Sequence, residues 1–441
     1  MNPKKLLIQL NEQIDRRTGN YSDKKKLTTA IAIITLFSII AGGISALLMY
    51  NSMYDQDGFA ALGRQFAQYN NFGGNVERGP IYPFFIGIFT KLFGFSNVLF
   101  VFLHSLLVAL LGILSFFISK NIYKSWKVAT LTGMLVAIHP MILLYIPKFL
   151  IEVLYAPLVL IMIWRAYKAL TLPNFKNLAL FGFFTGVASL CKAVTFVFPL
   201  FFAGSVLILY FIKIEVFRTV KPVTLLKLFV IPFFFTLLTI SPWTIRNYKV
   251  TKTFILVSRG AGYQYLRGKY IADENAFLLV KTNEQIWRKF DVGFNEIKRK
   301  CNIDTTEYVD SDIVSQPLVM HDTLDFIMKN HIKTQPLSFV VRTLKQIPTF
   351  WIRGENIKKS LGFIALSFST IFLFIVGFVK LNRRDPFSYI VLITVLYFNL
   401  MYAAILAIAR YSMPVYAPLM IIGTWGLYFI YQKYVRKEPV A

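Results

Sequence analysis

Apolar runs of about twenty residues recur along this chain, and they limit what it can become more than any other feature. A helix crossing the hydrocarbon of a bilayer needs ~20 mostly apolar residues, because every backbone N–H and C=O there must be satisfied within the segment itself. By length and flanks we place about ten such spans, at 27–50, 95–119, 128–147, 152–168, 178–191, 193–213, 224–245, 359–380, 386–408 and 412–431. Charged residues make up only 16% of the 441 positions, too few to clothe a soluble domain of this size. The sequence therefore predicts an all-α, polytopic transmembrane helical bundle.

Lysine and arginine set its direction. With the N-terminus inside, each inner connection is basic: Lys120, Lys124 and Lys127; Arg165, Lys168 and Lys176; Lys213, Arg218 and Lys221; Lys380, Arg383 and Arg384; and the tail residues Lys433, Arg436 and Lys437. Both termini are thus expected in the cytoplasm of a multi-pass plasma-membrane protein. The net charge of +26 belongs to these topology signals beside anionic lipid and not to nucleic acid, since the cations sit in short clusters between apolar segments.

Four regions follow. Residues 1–26 form an arm in which Leu6, Leu7, Leu10 and Ile14 recur at helical spacing beside Lys4 and Lys5, as in a helix lying on the inner membrane surface. The arm is too long and polar for a signal peptide, so the first apolar run stays as an anchor. Residues 27–245 hold about seven spans, and 359–441 about three spans and a cytoplasmic tail. Between them, 246–358 is the one long hydrophilic segment, and it falls outside. Its Ile286, Phe290, Phe294 and Ile297 make an apolar helical face, with Thr282 and Gln285 spaced as a capping box. TLDFIMKNHI and PLSFVVRTLKQIPTFW read as two further amphipathic helices. In the first outer loop, the stripe Phe59, Leu62, Phe66 and the later segment IYPFFIGIFTKLFG predict two interfacial helices. Cys191 and Cys301 lie far apart in different surroundings and suggest neither a disulfide nor a metal site.

Asp55 and Asp57 come directly after the first span. Locally, Asp55 suits the N-cap of a helix beginning near Asp57. Glu152, Lys192, Arg246 and Arg410 fall at the same outer rim, and each has its own local explanation. The cations can snorkel to headgroups or anchor a span, and Glu152 can pair with Lys148 one turn earlier. Taken together, carboxylates and cations around one rim suit an anionic, lipid-borne substrate, because charge at this depth is costly and tends to face a cavity, partner or ligand. His321 and His331 lie ten residues apart on an amphipathic pattern and read as surface histidines.

The pattern Asp55, Phe59, Arg64 followed by RGPIYPFFIGIFTKLFG at 78–94 resembles the first outer loop of the C-type glycosyltransferases, family 39-like, in particular the protein O-mannosyltransferases and lipid A aminoarabinose transferases. HPMILLYIPKFLIEVLYAPL at 139–158 is similar to the family's second outer loop, with Glu152 at its acidic position. FFTGVASLCKAVTFVFP at 183–199 resembles the segment that ends in a basic residue, here Lys192. SPWTIRNYKVTKTFILVSRGAGYQYLRG at 241–268 and ARYSMPVYAPLMIIGTWGL at 409–427 extend the likeness, which is weakest over 270–335. Two positions depart from the pattern: Phe59 stands for a tyrosine, and Gly79 for the first proline of a Pro-Pro pair.

The resemblance implies sugar transfer from a polyprenyl-phosphate donor to an extracytoplasmic acceptor, with inversion. It implies Asp55 as base, Glu152 as the acidic residue of the second loop, and Lys192, Arg246, Arg410 and Arg64 as ligands of the donor phosphate. Asp57 is an additional carboxylate. No metal is expected, since the Asp55-x-Asp57 spacing would call for a divalent ion with a diphosphate donor, and the members nearest this pattern use monophosphates. The rival readings are a polyprenyl-linked glycolipid transporter, which would show repeats in matched halves that this chain lacks, and a membrane glycan polymerase.

Overall fold

The computed structural model describes residues 3–49, 57–218, 220–275, 277, 279, 283–300, 318–381 and 385–436. Among these no strand occurs. Helix α1 spans Pro3–Leu48, and α2 (Phe59–Tyr69) and α3 (Ile81–Phe93) follow it. Next come α4 (Asn97–Tyr123), α5 (Trp126–Ala137), the single turn α6 (Pro140–Leu143), α7 (Glu152–Thr171), α8 (Phe175–Cys191), α9 (Phe198–Phe211), the short α10 (Glu215–Arg218) and α11 (Pro222–Thr251). The hydrophilic segment holds α12 (Ala261–Asp273), α13 (Asn283–Lys300), α14 (Leu318–Thr334), α15 (Pro336–Gln346) and α16 (Thr349–Ile352). The chain returns to the bundle in α17 (Ile357–Lys380), α18 (Phe387–Ile405) and α19 (Met413–Ile430). Eight helices among the described residues are long and apolar enough to cross a membrane. This is a multi-pass membrane protein.

Three elements differ from the sequence reading. Residues 3–48 form one continuous helix, so the described part of the expected arm runs without a break into the first span. The span expected at 128–147 stops at Ala137 after 12 residues, a length of about 18 Å and too short to cross alone. The cause is His139–Pro140, since the residue before a proline is driven out of the helical region. His139 caps the next turn through its ring nitrogen, 3.2 Å from the Met141 N–H. The irregular chain that follows is tolerated because protein covers it: Tyr145, Ile146, Phe149, Leu150 and Ile151 are all buried. The span expected at 224–245 continues instead to Thr251.

Helix α19 is the axis of the bundle, buried on every side from Met413 to Thr424 and flanked by α17, α7 and α5. Around it, helix ends are pinned where the chain breaks. After α8, the turn 193–197 is held by Tyr155 to Thr195 and by Tyr397 to the Val194 carbonyl. Between α18 and α19, Gln346 donates to the Ala403 carbonyl at 2.9 Å and accepts from the Ala407 N–H at 3.2 Å. His104 joins the two outer loops, sharing hydrogen bonds with the Tyr82 hydroxyl at 3.1 Å and the Ile146 carbonyl at 2.7 Å. Beyond α11 the chain turns at Lys252 and doubles back, its carbonyls accepting from Trp243 at 2.8 Å and Thr244 at 2.6 Å.

The hydrophilic segment builds its own small core from Leu266, Phe290, Phe294, Met320 and Leu324. It is tied to the first outer loop, since the Arg259 N–H donates to the Val76 carbonyl at 2.8 Å and His321 bonds Glu77 at 3.0 Å. His321 is therefore a buried link and not a surface histidine, and His331 is bonded to the Tyr265 hydroxyl. Thr282, the expected cap of α13, and Cys301 lie outside the described residues.

Gly79 lies against the last carbonyls of α8, where a Cβ would run into the backbone oxygens of Leu190 and Cys191. That contact explains the glycine, and it brings the first outer loop onto the helix end that presents Lys192. Gly79→Ala should lower stability by roughly 1–3 kcal/mol, the usual scale of overpacking against backbone, measured as a fall in Tm in lipid nanodiscs; an unchanged Tm would mean that the loop does not dock there.

Candidate functional site

Helix ends decide where the charges meet. Glu152 opens α7 and Lys192 is the C-cap of α8, so each stands at the end whose dipole favours its sign. The two helices are neighbours running in opposite directions, which brings both charges to one level. The Lys192 ammonium donates to Glu152 Oε1 at 3.2 Å. It also lies over the rings of Tyr411, at 3.9 Å, and Tyr402, at 5.1 Å, an arrangement that stabilises a cation away from water.

Arg410 comes in from the turn before α19 and completes the set. Its Nη1 pairs with Asp57 at 3.0 Å and its Nε lies 3.3 Å from Glu152 Oε1. Glu152 is fully buried. The expected Glu152–Lys148 pair does not form; Lys148 reaches Glu355 instead, at 3.1 Å and 207 residues away in sequence. Asp57 Oδ2 faces Arg410, while the Asp57 carbonyl accepts from Arg78 at 3.1 Å. Burial pushes the Asp57 carboxyl up, but Arg410, Arg78, Arg267 and Lys192 outweigh it and hold the group below its ordinary value. Glu152 Oε2 and the Tyr402 hydroxyl find no hydrogen-bond partner among the described protein atoms.

A cavity of about 100 Å³ adjoins Arg410. Its walls come from the second outer loop, α12, α13 and the start of α17, and they carry Lys148, Arg267, Arg353, Lys359 and Arg410 against one carboxylate, Glu355. Arg267, Arg353 and Lys359 are absent from the sequence reading. The signal was available in the basic residues beside aromatic ones, as in WIRGENIKK, but nothing in their spacing linked them to residue 148.

Of the residues expected at the site, Asp57, Glu152, Lys192 and Arg410 converge. Arg246 does not join them: its guanidinium donates to the carbonyls of Asn75, at 2.7 Å, and Gly73, and stacks over Trp243 at 4.6 Å. It braces the turn of the first outer loop. Arg64 is exposed and lies over the Phe95 ring at 4.8 Å. Asp55 lies outside the described residues. Helix α2 begins at Phe59 with Gly58 as its N-cap and no side-chain cap, so the start expected near Asp57 moves two residues on. Phe59 is buried edge-on to Tyr82 at 5.4 Å. Among the described residues no three His, Cys, Asp or Glu side chains are grouped to hold a metal.

The low Asp57 pKa has a consequence with a defined sign. A carboxyl held below its ordinary value of 3.8 adds stability above that pH and loses it as pH falls through the folded-state value. Thermal melts of the wild type should drop below pH 3.8, and Asp57→Asn should flatten that part of the profile; parallel profiles would mean that the Arg410 pair adds nothing.

Residues 77–243 match the family model of dolichyl-phosphate-mannose-protein mannosyltransferase. No curated protein matches the chain. The archaeal oligosaccharyltransferase AglB from Archaeoglobus fulgidus, solved with an inhibitory peptide and a dolichol-phosphate, superposes with a TM-score of 0.51 at 14% identity, over 93% of this chain and 51% of that one. The apo oligosaccharyltransferase of Archaeoglobus fulgidus gives 0.54 at 15% identity, with the same coverage. ArnT from Cupriavidus metallidurans, bound to undecaprenyl phosphate, gives 0.37 at 13% identity, over 91% of this chain and 78% of that one. The chain spans about half the length of the oligosaccharyltransferase chains. It shares the fold of the Archaeoglobus fulgidus oligosaccharyltransferase, and it resembles the dolichyl-phosphate-mannose-protein mannosyltransferases over the stretch that carries Glu152 and Lys192.

Proposed function

We propose that this protein is an inverting membrane glycosyltransferase that moves a sugar from a polyprenyl-phosphate donor to an acceptor hydroxyl on the extracytoplasmic side. The observation that carries the reading is the convergence of Lys192 and Arg410 with Asp57 and Glu152 at one end of the bundle, beside a cavity whose charged lining is five cations and one carboxylate. A glycosyl phosphate departs without a general acid, so one base is enough. Negative charge builds on the departing phosphate, and fixed cations shielded from water stabilise it. Lys192 has three N–H donors and uses one on Glu152, which leaves it able to bind phosphate without giving up its carboxylate. Solved with dolichol-phosphate, the archaeal oligosaccharyltransferase of like fold supports a lipid-linked donor.

We assign the base to Asp55. Asp57 is engaged by Arg410 and held below its ordinary pKa, which makes it a poor proton acceptor and a good holder of the guanidinium. No metal is assigned, because the second carboxylate of the Asp55-x-Asp57 spacing already serves Arg410. Arg246 is reassigned from phosphate ligand to brace of the first outer loop. The apolar spans offer the isoprenoid tail a path away from water. Both termini are cytoplasmic in this reading.

Asp55→Asn should cut transfer from a polyprenyl-phosphate sugar by ~100-fold or more, the scale of a lost acid–base group, with donor binding nearly intact. Asp57→Asn should be milder. Lys192→Gln should weaken donor binding, while Arg246→Gln should leave donor affinity close to wild type. Reversed effects of the two aspartates would overturn the assignment of the base, and lipid translocation without transfer would favour a transporter.

Topology is tested separately. Single cysteines between residues 213 and 221 should react with a membrane-impermeant maleimide only after the inner face is opened. Labelling from outside would invert the whole scheme.

A further inference from the structure

Helix α15 is amphipathic the wrong way round for a water-facing cap. Leu337, Val340, Val341 and Leu344, spaced as one helical stripe, are 75, 49, 45 and 58% exposed. The opposite face is polar and buried: Arg342 is 4% and Gln346 0% exposed. Arg342 donates to the Ala404 carbonyl at 2.8 Å and stacks on Tyr265 at 3.7 Å, and Gln346 holds the backbone of Ala403 and Ala407. A helix in water buries its apolar stripe. This one buries its hydrogen-bonding side chains on backbone groups that the break between α18 and α19 leaves without helical partners, and it turns its apolar stripe outward.

We propose that the outer face of α15 lies in the bilayer, against the acyl chains of the leaflet on the side of the site. Continuity with a span favours lipid over a protein partner. Helix α15 lies against α18, whose own outward residues Leu396 and Leu400 are 48 and 43% exposed, so the lipid-facing surface of the span runs on to α15. Helix α13 of the same segment behaves oppositely: it turns Ile286, Phe290 and Phe294 inward and exposes Arg288, Lys289, Asp291 and Glu296 on its other side. The consequence reaches the site. Arg342 and Gln346 fasten α15 to the joint that runs into Arg410, so the depth of α15 in the leaflet sets the depth of Arg410 relative to the headgroups. This inference stands independently of the transfer reaction.

Bimane fluorescence tests it. In a Cys191→Ala, Cys301→Ser background, Leu344→Cys and Val340→Cys are labelled in nanodiscs, with Val292→Cys on α13, 73% exposed, as the water-facing comparison. Doxyl groups on lipid acyl chains should quench the α15 labels severalfold more than aqueous iodide does, with the order reversed at Val292. Iodide quenching at both α15 positions would overturn the proposal in favour of water. Silence to both quenchers, with disulfide cross-linking between copies through Leu344→Cys, would overturn it in favour of a protein interface.

Discussion

A charge taken out of water must be met by another, and in this protein that requirement is met around Arg410. The residue stands at the start of the most buried helix, where the helix dipole adds to its own positive charge. Two carboxylates answer it, Asp57 from the first outer loop and Glu152 from the start of α7. Lys192 then balances Glu152. Removing one member of such a set leaves a buried charge unmatched, at a cost of roughly 3–5 kcal/mol. The loops and helix ends that deliver these four groups are therefore not free to vary separately.

The rest of the fold reads as a means of holding helix ends in register. The break after α8 is bound by two tyrosines, the break before α19 by Arg342 and Gln346, and the irregular second loop by His104. Irregular backbone at membrane depth is sustainable only where protein satisfies it, and here each break also presents a charged side chain to the same space. Structural necessity and site construction coincide at these points.

Apolar runs made the bundle readable from sequence, because crossing hydrocarbon imposes a length and a composition that loops do not share. The cluster was readable in part for the same reason: a charge at the end of such a run is conspicuous. What escaped was pairing over distance. Lys148 stands four residues before Glu152, yet binds Glu355, and no spacing rule reports a contact 207 residues away. Arg246 is held by carbonyls of the Gly73–Asn75 turn, a contact that no spacing in the sequence announces. His321 sits on a polar stripe in sequence, and only the docking of its helix against Glu77 buries it. The short α5 was foreshadowed by His139–Pro140, a local signal that the apolar run around it masked.

The proposed transfer depends on where a lipid phosphate binds. A cryo-EM map of the protein in nanodiscs with a polyprenyl monophosphate would decide it most directly. Density for the phosphate within hydrogen-bond reach of Lys192 and Arg410, with Asp57 and Glu152 still holding both cations and Arg246 still on the first-loop turn, is the predicted result. A phosphate seated on Arg246 or elsewhere on the bundle, with the four-charge cluster untouched, would contradict it.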